Sequence, residues 1–134
     1  MATGAVGGDV PAVTGRPGTA HVIGASALGH LAKLVIERPR PDLFPPLIAM
    51  PADWSFPSAH AVQVTAFALA WVLRPGAAAG RIEMAVLVAV VALVVASRLY
   101  LQVHFPSDVV AGVLLATFWV LLLRRLPAWR EHGQ

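Results

Sequence analysis

The chain has 134 residues, of which 57% are hydrophobic and only 13% charged, with a formal charge of +3 and no cysteine. Soluble domains are about 25% charged, so this composition and a mean hydropathy of +0.71 read as a membrane protein of one domain, with room for about four spans of ~20 residues each. Disulfides and thiolate metal sites are excluded. The pI near 10.6 does not indicate a nucleic-acid partner, because the cations sit at span ends and inside short polar motifs, not on a polar or aromatic surface.

In chain order, residues 1–18 are expected to form a flexible N-terminal lead. They are rich in Gly, Ala, Val and Thr, with Pro11 and Pro17, and lack the basic start and continuous apolar stretch of a signal peptide. Four helices are predicted: Thr19 to Glu37, Pro57 to Leu73, Ile82 to Leu101 and Pro106 to Leu123. The first carries His21, His30 and Lys33 and suits a bundle interior; the two histidines are assigned to packing or interhelical hydrogen bonds. The third is the clearest, since MAVLVAVVALVVA holds no charge. None of the four alternates apolar with polar residues as a barrel strand would. The expected fold is therefore all-α, a transmembrane bundle of about four helices over residues 19–124, followed by a cytoplasmic tail at 125–134 in which His132 is solvated.

Arg74 and Arg81 bracket the turn between the second and third helices, and Arg124, Arg125 and Arg130 follow the fourth. If all four helices cross, these lie on one side, which the positive-inside rule makes cytoplasmic. Trp71, Trp119 and Trp129 fall near that face, and Trp54 and Tyr100 near the other. The remaining polar residues then meet at the outer face in three stretches: KLVIERPRP (Lys33 to Pro41), FPSAH (Phe56 to His60) and SRLYLQVHFPSD (Ser97 to Asp108).

Those stretches hold the inventory for handling a phosphate. Arg40 and Arg98 offer planar forks to phosphate oxygens and Lys33 a point charge. Pro57 suits a first helical position, which leaves the N–H groups of Ser58, Ala59 and His60 unpaired at the positive end of a helix dipole. Two histidines permit one to attack phosphorus while the other protonates the leaving oxygen. Asp108, four residues after His104, can hold a ring nitrogen and fix the tautomer. Arg38 is out of register and is read as a headgroup or substrate-entrance contact, with Glu37 placed to pair with it. A metal at His60, His104 and Asp108 is disfavoured by Lys33, Arg40 and Arg98 around it. The loop from Asp42 to Asp53 holds an apolar run, Leu43 to Met50, too short to span and suited to the interface, where it would admit a lipid tail.

Here the chain resembles the type 2 phosphatidic acid phosphatase superfamily, which includes the vanadium haloperoxidases and bacterial class A acid phosphatases. Its signature is K-x6-R-P, P-S-G-H and S-R-x5-H-x3-D. This sequence has Lys33 with Arg40 and Pro41, then Pro57, Ser58 and His60, then Ser97, Arg98, His104 and Asp108. The resemblance implies a haloperoxidase-like helical core and a lipid phosphatase that needs no metal or other cofactor and passes through a phosphohistidine. His104 would be the nucleophile, Asp108 its orienting carboxylate and His60 the general acid. Lys33, Arg40, Ser58, the Ala59 N–H and Arg98 would bind phosphate. The implied partners are a lipid phosphate or diphosphate, the membrane, and a second copy of the chain as possible cover. The implied location is the noncytoplasmic face of a bacterial plasma membrane.

The sequence departs from the family twice. Ala59 stands where the second motif has glycine, and four spans are present where membrane members usually have six. A natural short form, a fragment and a late-assigned start remain alternatives, as does a noncatalytic protein that keeps the cradle to bind lipid headgroups.

Overall fold

The computed structural model describes residues 17–76 and 78–126, and among these it contains four helices: α1 (Pro17–Ile36), α2 (Ala59–Val72), α3 (Arg81–Tyr100) and α4 (Pro106–Arg125). The all-α bundle expected from the hydropathy pattern is observed. Residues 1–16 of the expected lead, and Trp129, Arg130 and His132 of the expected tail, lie outside the described residues. Pro17 and Gly18, placed in the lead, belong to α1, and Arg125, placed in the tail, belongs to α4.

Three helices, α1, α3 and α4, are long and apolar enough to cross a membrane. The fourth expected span is shorter: α2 has 14 residues, about 21 Å of helix at ~1.5 Å per residue. It starts two residues later than expected, with Ser58 as the extended residue before the helix. Pro57 is therefore not the first helical residue. Pro106, by contrast, does open α4.

The core lies between α1, α2 and α4. Ala25, Val62, Ala66, Ala116 and Val120 are buried there, with Val22, Leu69, Leu73, Leu115 and Trp119 packed around them. Small residues dominate because lipid supplies no hydrophobic drive between helices, and attraction comes from close backbone approach. Helix α3 packs mainly against α2 and has no buried residue, in keeping with the uncharged run from Met84 to Ala96 at its centre. His21 is buried on α1, whereas His30 is exposed.

At Gly112, α4 approaches the start of α2 so closely that an added Cβ would lie 2.9 Å from the Ser58 carbonyl oxygen and 3.0 Å from the Ala61 Cβ. Both neighbours are stiff. Gly112→Ala is expected to lower stability by about 1–3 kcal/mol, as overpacking does, whereas Gly80→Ala, with nothing within 4 Å, should be nearly silent. Thermal unfolding in detergent micelles checks the difference.

Each polar motif arrives at the same end of the bundle through a specific stop. Glu37, at φ 47°, ends α1 after Lys33, and its N–H donates to the Lys33 carbonyl at 3.0 Å. Gln102, at φ 58°, ends α3 and turns the chain back, so that Val103 and His104 are buried. The Ser58 N–H donates to the Asp108 carbonyl at 3.0 Å, tying the starts of α2 and α4 together. At the opposite end, Arg74 pairs with Glu83 across the α2–α3 turn at 3.0 Å.

Candidate active site

The buried cations are organised around one carboxylate. Lys33 Nζ lies 2.9 Å from Asp53 Oδ2 and also donates to the Trp54 carbonyl. Arg40 Nη2 lies 2.5 Å from Asp53 Oδ1, and Arg40 Nε donates to the Asp53 carbonyl at 2.9 Å. Burial alone would raise the Asp53 carboxyl, but Lys33 and Arg40 outweigh it and hold it at about 2. The two cations thus share one carboxylate at the C-terminal end of α1.

Arg40 also joins this cluster to His104. Its Nη1 donates to the Val103 carbonyl at 2.7 Å and faces His104 Nε2 at 3.4 Å. A guanidinium only donates, so Nε2 faces it with its lone pair, the form a nucleophile needs. Burial first, then Arg40 and Lys33, push the His104 imidazole down to about 4, against the opposing pull of Asp108.

The sign of that shift is testable. Between about pH 6.5 and 4 the unfolded chain binds a proton that the folded ring refuses. The stabilising contribution is therefore complete above about 6.5 and is lost as pH falls through about 4. An NMR titration of the ring in detergent is expected to give a midpoint near 4; a midpoint near 6.5 would mean that the ring is open to water.

Asp108 is fully buried in the first turn of α4. Arg38 Nη1 donates to its Oδ1 at 2.8 Å, and the Phe105 N–H donates to its Oδ2 at 2.8 Å, where the Ser55 hydroxyl also donates. His104 Nδ1 lies 3.6 Å from the same Oδ2. That exceeds a hydrogen bond, and Nδ1 is buried with no hydrogen-bond partner. One ring nitrogen thus faces the carboxylate and the other faces the cations.

Arg38, read from the sequence as a headgroup or substrate-entrance contact beside Glu37, donates to Asp108 and, at 2.7 Å, to Ser107 Oγ, and stacks 4.2 Å from the Phe105 ring centroid. The sequence reading also missed Ser55, which is fully buried, and saw Asp53 only as the edge of a loop. A signal for Asp53 existed. Buried cations need a counter-charge, and few acids stand between the first two motifs.

The start of α2 differs from expectation in its donors. The Ser58 N–H is taken by Asp108, and the first intrahelical bond runs from the Val62 N–H to the Ser58 carbonyl at 3.0 Å. The Ala59, His60 and Ala61 N–H groups precede it as the free end of the helix. Ser58 Oγ is buried, does not cap the helix and has no hydrogen-bond partner. His60 is exposed, and its charged neighbours are Arg98, Arg40, Asp53 and Lys33. Arg98 holds only a local contact, Nε to Ser97 Oγ at 3.2 Å. A cavity of about 350 Å³ adjoins the cluster, lined by Lys33, Asp53 and Ala59 and also by Ser26, His30 and Gln63. The loop between α1 and α2 exposes Leu43, Phe44, Leu47, Ile48 and Met50, as an interfacial segment would.

Comparison with known proteins agrees with this arrangement. The family model described as PAP2 superfamily matches residues 19–132. A decaprenylphosphoryl-5-phosphoribose phosphatase of Mycobacterium tuberculosis is 45% identical over 95 residues, covering 68% of this chain and 49% of that protein. An undecaprenyl-diphosphatase of Sulfolobus acidocaldarius is 37% identical over 112 residues, covering 74% of this chain and 48% of its own. The crystal structure of a transmembrane PAP2-type phosphatidylglycerolphosphate phosphatase from Bacillus subtilis superposes with a TM-score of 0.67 at 25% identity, covering 87% of this chain and 59% of that one. The chain thus spans about half the length of these two sequence relatives. With three membrane-length helices, the motif residues gathered at one end and a family match over most of its length, this integral membrane protein belongs to the PAP2 superfamily.

Proposed function

We propose that this protein releases phosphate from a lipid phosphate monoester or diphosphate through a phosphohistidine intermediate, without a metal, at the noncytoplasmic face of a bacterial plasma membrane. The observation that carries the reading is the placement of His104 Nε2 3.4 Å from Arg40, whose guanidinium shares Asp53 with Lys33. A phosphate seated on those cations has its phosphorus beside a neutral ring nitrogen.

Residue roles follow. Lys33 and Arg40 take phosphate oxygens, the free N–H groups at the start of α2 and the Ser58 hydroxyl add donors, and Arg98 contributes positive field. His104 Nε2 attacks phosphorus as the P–O bond to the lipid breaks, and His60 gives its proton to the departing lipid oxygen. Water then attacks the phosphohistidine, losing its proton to His60 as the P–N bond breaks, and phosphate leaves. Asp108 holds His104 Nδ1–H throughout and stabilises the ring as it becomes charged. Residues 19–124 act as the membrane domain that carries this chemistry.

Two relatives are named for polyprenyl phosphates, which makes polyprenyl mono- and diphosphates the first substrates to test, with phosphatidic acid and phosphatidylglycerol phosphate beside them. Phosphate release by detergent-purified protein is expected in EDTA. Activity lost to EDTA and restored by magnesium would overturn the metal-free reading. Silence from folded protein on every substrate would instead favour a headgroup-binding protein or one needing a partner chain.

A further inference from the structure

Within the proposed phosphate site, Asp53 has the geometry of a resident competitor. Each of its carboxylate oxygens sits on a different cation, Oδ2 on Lys33 at 2.9 Å and Oδ1 on Arg40 at 2.5 Å, the two-point contact a phosphate would give. Exposure is divided unequally. The Lys33 and Arg40 side chains are 4% and 8% exposed, whereas that of Asp53 is 50% exposed. The cations form a fixed floor, and the carboxylate lies on top with one side in solvent.

The floor does not depend on that carboxylate. Lys33 Nζ also donates to the Trp54 carbonyl, and Arg40 donates through Nη1 to the Val103 carbonyl at 2.7 Å and through Nε to the Asp53 backbone carbonyl at 2.9 Å. Removing the acid leaves these anchors in place. What it cannot leave is two buried charges without an anion, which is strongly unfavourable. Asp53 can leave its seat only as another anion arrives, and a half-exposed carboxylate has solvent to turn into.

We infer that Asp53 sets the affinity threshold of the site, its carboxylate occupying the phosphate seat on Lys33 and Arg40 so that an anion must displace it to bind. Occupancy of a competing closed state weakens every ligand by the same factor. A phosphomonoester or diphosphate, with more than one negative charge on adjacent oxygens, still binds. A phosphodiester headgroup, with one charge spread over two oxygens, falls below the threshold, and the bulk phospholipids of the membrane are diesters. This selection rests on the proposed function, since it presumes that phosphate is the ligand.

The test is calorimetric binding of inorganic phosphate and dimethyl phosphate to the detergent-purified full chain, at an alkaline pH at which inorganic phosphate is the dianion. Wild type is compared with Asp53→Asn, Asp53→Ala, Asp42→Asn and Arg40→Ala. Both Asp53 variants are expected to tighten phosphate by ~10-fold or more and to bring dimethyl phosphate into measurable binding, while Asp42→Asn changes each by less than about twofold. Phosphate bound no more tightly, or more weakly, by the Asp53 variants would overturn the inference, because a carboxylate that merely positions the cations gives that sign. A gain of the same size in Asp42→Asn would overturn it too, by making the effect one of general charge. Arg40→Ala separates the two levels. If it loses phosphate while the Asp53 variants gain nothing, only the role of Asp53 fails; if it binds phosphate like wild type, the site itself is misplaced.

Discussion

His104→Ala is expected to lower phosphate release by about 10⁴-fold or more, the scale on which loss of a covalent nucleophile acts. The ring is buried between two groups of opposite demand: Arg40 faces Nε2 at 3.4 Å and Asp108 Oδ2 lies 3.6 Å from Nδ1. Burial and the nearby cations keep it neutral at physiological pH, so it is available to attack without first losing a proton. Alanine removes the nucleophile and leaves Lys33, Arg40 and Asp53 where they are. Phosphate binding should therefore survive within a few-fold while turnover is lost, and equilibrium binding beside a phosphate-release assay separates the two. Turnover that persists in the variant would exclude a phosphohistidine on this residue.

Asp108→Asn should be nearly as damaging for a different reason. The carboxylate accepts from Arg38, Ser55 and the Phe105 N–H, and Asn keeps its shape while losing its charge and half of its accepting capacity. The remaining amide can present its NH₂ to His104 Nδ1, which favours the tautomer with the proton on Nε2, where no lone pair is left to attack. A loss of about 10³–10⁴-fold in kcat with KM changed little is expected, as for a triad whose orienting acid is replaced by its amide. Stopped-time assays over a substrate range give the two parameters. A rise in KM with kcat unchanged would place Asp108 in ground-state binding instead.

Both predictions depend on groups of unequal visibility in the sequence. His104 and Asp108 stand in one motif four residues apart, and their relation follows from helix geometry at the start of α4. Lys33 and Arg40 were likewise legible, because a cation at the end of an apolar segment followed by prolines marks a polar exit from the membrane. The support for Asp108 was not legible in this way. Arg38 is 70 residues from it and Ser55 is 53, and no local periodicity connects such positions. Arg38 was placed at the entrance because its register in the first motif is wrong for a phosphate ligand. Register within a motif is silent about where the Arg38 guanidinium goes.

The second motif shows the same division. Its polar residues could be assigned to a helix start, but the extended Ser58 puts that start at Ala59, and the Ser58-to-Asp108 backbone bond removes one of the three expected donors. The shorter α2 follows from this local geometry and not from its hydropathy.

By itself the sequence determined an all-helical membrane bundle and singled out the members of the proposed phosphate-handling set, because hydropathy over some 20 residues and spacing within a motif are local properties. Only the tertiary structure decided which charges meet. Asp53 lies on Lys33 and Arg40, and Ser55 and Arg38 lie on Asp108, because the loop between α1 and α2 folds back over the starts of α2 and α4. Buried charge must be neutralised by whichever opposite charge the fold brings within reach. That choice is made across the whole chain, and no segment of it carries the answer alone.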